Sequence, residues 1–170
     1  MPLRSLVLVP LLLASACGGG GGASETPAPI GSETRLSADT LEIGAAVASV
    51  DLLVQLIDTP AVAPTLLQVA VELPPQLTLP PNDRLQAAQA LATLDGDVVV
   101  GRFLVMCGDA QNAAGSTLGR GPLFRVRLQP ASPRVPGTYT VRLHHLRASS
   151  RDGEALAVDA NPAVVTVVVR

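Results

Sequence analysis

His144 and His145 are the only imidazoles in this chain, and imidazoles are what a metal site or an acid–base mechanism recruits first. Side by side on an extended strand they point to opposite faces, so they do not chelate one ion. Asp95 and Asp97 flank Gly96, but a calcium loop needs six or more oxygens, and two carboxylates around a glycine read as a turn. Gly115-Ser116-Thr117-Leu118-Gly119 evokes a nucleophile elbow without its Gly-x-Ser-x-Gly spacing. No zinc motif or phosphate-binding glycine loop is present. Cys107 lies in the apolar stretch 98–107, where its only charged neighbour is the wrong-signed Asp109, so it reads as a small buried thiol. These residues describe a protein expected to be no enzyme, to hold no metal and to need no cofactor.

The remaining group is Cys17. Arg4 starts a positive segment, Leu6 to Leu13 form an apolar run broken only by Pro10, and Ala14-Ser15-Ala16 set small residues directly ahead of the thiol. The run is too short to span a bilayer, so residues 1–16 read as a signal peptide. A cysteine at the cut site makes the segment resemble a bacterial lipoprotein signal, with Ala14 where Leu is usual. The resemblance implies lipid attachment at Cys17, hence a membrane anchor. Gly18 in place of an acid at the next position implies the outer membrane, with the protein on its periplasmic or outer side. Residues 17–34 are rich in Gly, Ser and Pro, including five consecutive glycines, and are expected to form a flexible tether. With Cys17 lipidated, Cys107 has no disulfide partner.

Behind the tether, residues 35–170 suffice for one domain with its own core. All twelve basic residues are Arg. Without Arg4, eleven Arg face fourteen acids, so the chain from Cys17 onward carries a net charge of −3. That balance argues against nucleic acid as a partner. Two Arg and ten acids lie between Cys17 and Val99, and nine Arg and four acids between Val100 and Arg170. If strands from the two halves interleave, such asymmetry resolves into cross-strand ion pairs.

The elements follow a period of two. Leu67, Val69, Val71 and Leu73 alternate with Gln68, Ala70 and Glu72; Phe124, Val126 and Leu128 alternate with Arg125 and Arg127; Tyr139, Val141 and Leu143 alternate with Thr138, Thr140 and Arg142. Residues 50–56 and 164–169 read as further strands. Residues 98–107 are apolar on both parities, as expected of one central strand covered on both sides. Asp58-Thr59-Pro60, Pro74-Pro75, Asp95-Gly96-Asp97, Pro136-Gly137, Asp152-Gly153 and Asn161-Pro162 punctuate the runs as turns. Short strands at this spacing predict an antiparallel β-sandwich of roughly eight or nine strands. Residues 84–94 break the pattern, since Gln86, Gln89 and Thr93 fall at helical spacing and Asp83 with Gln86 resembles a capping box. One short helix is predicted there.

Outward parity selects the candidate contact residues. Arg125 and Arg127 point out from one strand, and Thr138, Thr140 and Arg142 from another. Were the two strands neighbours, they would build one Arg/Thr face suited to a protein partner. A flat sugar platform is disfavoured, because the chain has no Trp and its three aromatics, Phe103, Phe124 and Tyr139, all fall on inward parities.

Taken in order, an early strand at 48–57, the segment Leu66-Leu67-Gln68-Val69-Ala70-Val71-Glu72-Leu73-Pro74-Pro75-Gln76-Leu77, the step into Leu123-Phe124-Arg125-Val126-Arg127-Leu128, Gly137-Thr138-Tyr139-Thr140-Val141-Arg142-Leu143, Asp152-Gly153 and a closing strand at 163–169 resemble the cohesin family, relatives of bacterial carbohydrate-binding β-sandwiches. The family's frequent Tyr-Asp after the alternating strand is replaced by Leu73-Pro74-Pro75. The resemblance implies an immunoglobulin- or jelly-roll-type sandwich that binds a protein, in cohesins a dockerin, through one sheet face. The related folds make an accessory polysaccharide-binding module the alternative expectation.

Overall fold

The computed structural model describes residues 34–109 and 117–170. In chain order the strands are β1 (Arg35–Ser37), β2 (Leu41–Ile43), β3 (Val50–Asp58), β4 (Leu66–Glu72), β5 (Leu77–Thr78), β6 (Leu85–Ala87), β7 (Leu91–Val99), β8 (Arg102–Asp109), β9 (Gly121–Pro130), β10 (Gly137–Ser149), β11 (Ala155–Leu156) and β12 (Ala163–Val169). They form two sheets. The smaller runs β1-β3-β9-β5, with β6 also on β9; the larger runs β2-β12-β10-β4-β8-β7, with β11 on β10. The strand pairs are antiparallel except β2 with β12, which is parallel.

The alternation of the sequence is what closes the sandwich. Leu52, Val54 and Leu56 of β3, with Phe124, Val126 and Leu128 of β9, face Leu67, Val69 and Val71 of β4, Val141 and Leu143 of β10, and Val165 and Val167 of β12, all essentially inaccessible. Each such side chain contributes about 1.5–3 kcal/mol on burial, so aliphatic residues fill a core that has few aromatics. Phe103 and Phe124 are buried, and Tyr139 packs on the core while its hydroxyl donates to the Val135 carbonyl at 2.9 Å. Cys107 is a free, fully buried thiol whose pKa is pushed up to about 12 by burial.

The expected charge pairing is present. Asp51 meets Arg127 at 2.8 Å, Asp58 meets Arg120 at 2.7 Å, Glu42 meets Arg170 at 2.6 Å, Glu72 approaches Arg142 at 3.9 Å and Arg35 reaches Asp159 at 3.5 Å. Every one of these pairs joins a residue before position 100 to one after it.

Two segments depart from expectation. No helix occurs among the described residues. The stretch expected to hold one instead supplies β6, paired with β9 over Leu85–Ala87, and the start of β7. Asp83, expected to cap the helix, has a φ of 54°. An isolated helix of that length is marginal in water, whereas pairing with β9 satisfies backbone groups and packs Leu85, Leu91 and Leu94 on the core. Residues 98–107 are not one central strand but a hairpin turning at Val100 and Gly101. Asp95-Gly96-Asp97, read as a turn, lies inside β7. Gly96 is needed there because a Cβ would come within 2.5 Å of the Phe103 ring.

One side chain outside the sheets holds the ends together. Arg134, between β9 and β10, donates to four carbonyls: Gly44 at 2.7 Å, Ile43 at 2.9 Å, and Ala45 and Val47 at 3.1 Å each. These charge-assisted bonds pin the turn after β2. Arg134→Met should therefore lower stability by about 2 kcal/mol, read from the urea midpoint; a change below about 0.5 kcal/mol would show that water replaces the guanidinium freely.

Candidate partner-binding face

The outer face of the larger sheet is laid out by the strand registers. Gln68 lies opposite Met106, Ala70 opposite Leu104, and Glu72 opposite Arg102 across β4 and β8. Arg142 lies opposite Glu72, and His144 opposite Ala70, across β4 and β10. Thr138, Thr140 and Arg142 are exposed here, as their parity requires. Ala70 shares this outward parity and is nonetheless fully buried, between Leu104 of β8 and His144 of β10.

A polar cluster sits on this face. Glu72 Oε2 lies 2.8 Å from His144 Nε2, and its Oε1 lies 3.9 Å from Arg142. The His144 hydrogen bond chiefly, with smaller help from the Arg102 and Arg142 charges, holds the Glu72 carboxyl below its usual value of 4.5. His144 is thus a partner of Glu72. Its backbone and that of His145 lie opposite Ala70 and Val69, consecutive residues of β4. No cluster of three or more potential metal-ligating residues forms among the described residues.

The apolar part of the face was not legible in the sequence. Leu66 and Met106 are 37% and 39% exposed at one end of the sheet. At the other end the β7–β8 hairpin exposes Val99 on this face, Val100 at the turn and Val98 on the opposite side, across from Phe103, with Val100 97% exposed. Its two-residue turn has positive φ at Val100 (48°) and Gly101 (74°), the type I′ geometry that prefers Asn-Gly. A β-branched residue is strained there. Below the hairpin a cleft of about 330 Å³ opens between the 73–81 loop and Val98, Arg102 and Phe103, with Arg84 on its wall. Three consecutive valines before a glycine are the one sequence signal that could have marked this tip.

Arg125 and Arg127 lie elsewhere. They belong to β9, in the smaller sheet, while Thr138, Thr140 and Arg142 belong to β10 in the larger one. The single Arg/Thr face expected of neighbouring strands is therefore two surfaces on opposite sides of the sandwich. Arg127 is also engaged, gripping Asp51 with Nε at 2.8 Å and Nη2 at 3.3 Å. Cys17 lies outside the described residues.

No family model matches the chain, and no curated protein matches it. Solved structures do. A non-cellulosomal cohesin from the archaeon Archaeoglobus fulgidus superposes with a TM-score of 0.58 at 16% identity, over 80% of this chain and 91% of that one. A type I cohesin–dockerin complex from Clostridium thermocellum gives 0.64 at 10% identity, over 81% and 99%. A cohesin module from a family 33 glycoside hydrolase of Clostridium perfringens gives 0.63 at 10%, over 82% and 99%. The domain has a cohesin-like fold.

Two measurements check this face. The Glu72 side-chain carbon should titrate below 4.5, and His144→Ala should move that midpoint upward, because the contact favours the charged carboxylate. Any stabilisation from it is present above 4.5 and lost as pH falls through the lowered value. An unmoved midpoint would remove His144 as the cause. Val100→Asn should stabilise the fold by about 1 kcal/mol in thermal or urea unfolding, since Asn tolerates the left-handed turn.

Proposed function

We propose that this chain is a non-catalytic protein-binding module that captures a dockerin-like partner on the outer face of its larger sheet, with the Val98–Val100 tip as apolar anchor. The observation that carries this reading is the strained and exposed Val100. A β-branched residue in a type I′ turn costs stability, and three exposed valines add nothing to the core, so the tip serves something outside the fold. Exposed apolar residues beside a polar rim are what protein interfaces use. The rim here is Arg102, Arg142, Glu72, Thr138 and Thr140. Cohesins with this fold occur in complexes with dockerins, one from Clostridium thermocellum and one formed by CaCohA2, a cohesin of Clostridium acetobutylicum, and that partner class is carried over on the strength of the fold. The polysaccharide alternative lacks an exposed aromatic on which a sugar ring could stack, all three aromatics being committed to the core side.

The anchor belongs to the same proposal. Thr34 enters the domain bridged to Val158, at the end where Leu66 pairs with Ser149 and Gly108. The hairpin tip is at the opposite end, beside the Glu72–Arg102 pair. A lipid on Cys17 at the outer membrane would thus be tethered to the end of the domain opposite the tip. Fatty-acid labelling should tag the protein and be lost in Cys17→Ser; labelling that survives the change removes the anchor.

Binding is tested by calorimetry against a panel of dockerin modules. The expected result is a complex weakened at least about tenfold, or about 1.4 kcal/mol, by Val100→Asn and by Met106→Asp, and unchanged by Ile57→Glu on the smaller sheet. Absence of binding across the panel, or loss through Ile57→Glu alone, would overturn the reading. Because Val100→Asn is expected to stabilise the fold, weaker binding by that variant cannot come from unfolding.

A further inference from the structure

Among the described residues the larger sheet ends in β7, a nine-residue strand with no strand paired to its outer edge. Such an edge normally offers a row of unpaired N–H and C=O groups to any extended chain. In a two-residue hairpin, Val99 and Arg102 form the hydrogen-bonded pair next to the turn, so Asp97 and Asp95 also bond β8 while Val98 and Gly96 turn their backbone groups outward.

Those outward groups are occupied by side chains. Asp95 Oδ1 accepts from the Gly96 N–H at 2.8 Å, and Asp97 Oδ1 accepts from the Val98 N–H at 2.8 Å. From the far side, Arg84 Nη2 donates to the Gly96 carbonyl at 3.0 Å, its guanidinium lying 5.4 Å from the Phe103 ring centre. Two donors and one acceptor in the middle of the edge are thereby closed. The cap needs each aspartate immediately before an outward residue, which accounts for their spacing of two.

We infer that the β7 edge is closed against strand pairing with a second copy of this chain by Asp95, Asp97 and Arg84. Antiparallel pairing of two β7 strands about Gly96 would set Asp95 of each copy opposite Asp97 of the other, where like charges repel. Capping and repulsion thus act against the same contact, and they can be separated. Asparagine keeps the Oδ1 acceptor and removes the charge; alanine removes both.

The test is carried out on the full chain by light scattering after size exclusion over a hundredfold concentration range, with amide hydrogen exchange read at Gly96 and Val98. The native protein and Asp95→Asn/Asp97→Asn should stay monomeric. Asp95→Ala/Asp97→Ala/Arg84→Met should shift toward a dimer as concentration rises. In the Asp95→Ala and Asp97→Ala single variants the Gly96 and Val98 amides, respectively, should exchange about tenfold faster at low concentration, the loss of one hydrogen bond, and this arm reads capping even if the triple variant fails to fold. A folded triple variant that remains monomeric overturns the inference. So does an asparagine variant that dimerises as readily as the alanine one, because charge alone would then guard the edge.

Discussion

The register of β4 is the constraint on which the rest of this structure depends. Leu67, Val69 and Val71 face the core, and Gln68, Ala70 and Glu72 face outward, with β10 on one side and β8 on the other. A slip of one residue would send the three aliphatic side chains into water and bring Gln68 and Glu72 into the core. Burying a carboxylate without partners is far costlier than exposing one leucine, so the register is specified from both faces. It also builds the candidate site, because the same register brings Glu72 beside Arg142 and within reach of His144.

From that strand the two-sheet arrangement follows through charge as well as burial. Acids dominate the first half of the chain and arginines the second, and the sandwich brings strands of the two halves side by side. Asp51 and Arg127 face each other across β3 and β9, and burial of the surrounding aliphatic residues leaves that pair half-buried. The Arg127 hydrogen bond holds the Asp51 carboxyl below its usual range. Exposed pairs such as Glu42 with Arg170 contribute little energy, yet their opposite-sign placement disfavours pairings that would bring like charges together. Four of the nine arginines after Val99, at 120, 127, 142 and 170, thereby meet acids from the first half of the chain.

The strands with strict alternation were legible before the structure: β3, β4, β9, β10 and β12 each carry an apolar face that only a period of two explains, and the cohesin-like sandwich followed from their order. Residues 84–99 were not. Gln86, Gln89 and Thr93 fall at helical spacing, and nothing local reveals that β9 leaves an edge for residues 85–87 to fill. Residues 98–107 misled for a different reason, since apolar residues on both parities describe a buried strand and an exposed apolar turn equally well. The candidate site was half legible. Parity placed Thr138, Thr140 and Arg142 outward, but which strands are neighbours is a long-range fact, and it separates them from Arg125 and Arg127. The Arg134 anchor, four carbonyls gathered from residues some ninety positions away, leaves no local trace at all.

The central claim is that partners are met by the outer face of the larger sheet and its hairpin tip. A photo-crosslinking residue placed at Val100, compared with one at Ile57 on the smaller sheet, tests it in the producing cell. The account predicts a discrete protein adduct from position 100 and none from position 57. Adducts from position 57 alone, or polysaccharide in place of protein at position 100, would contradict it.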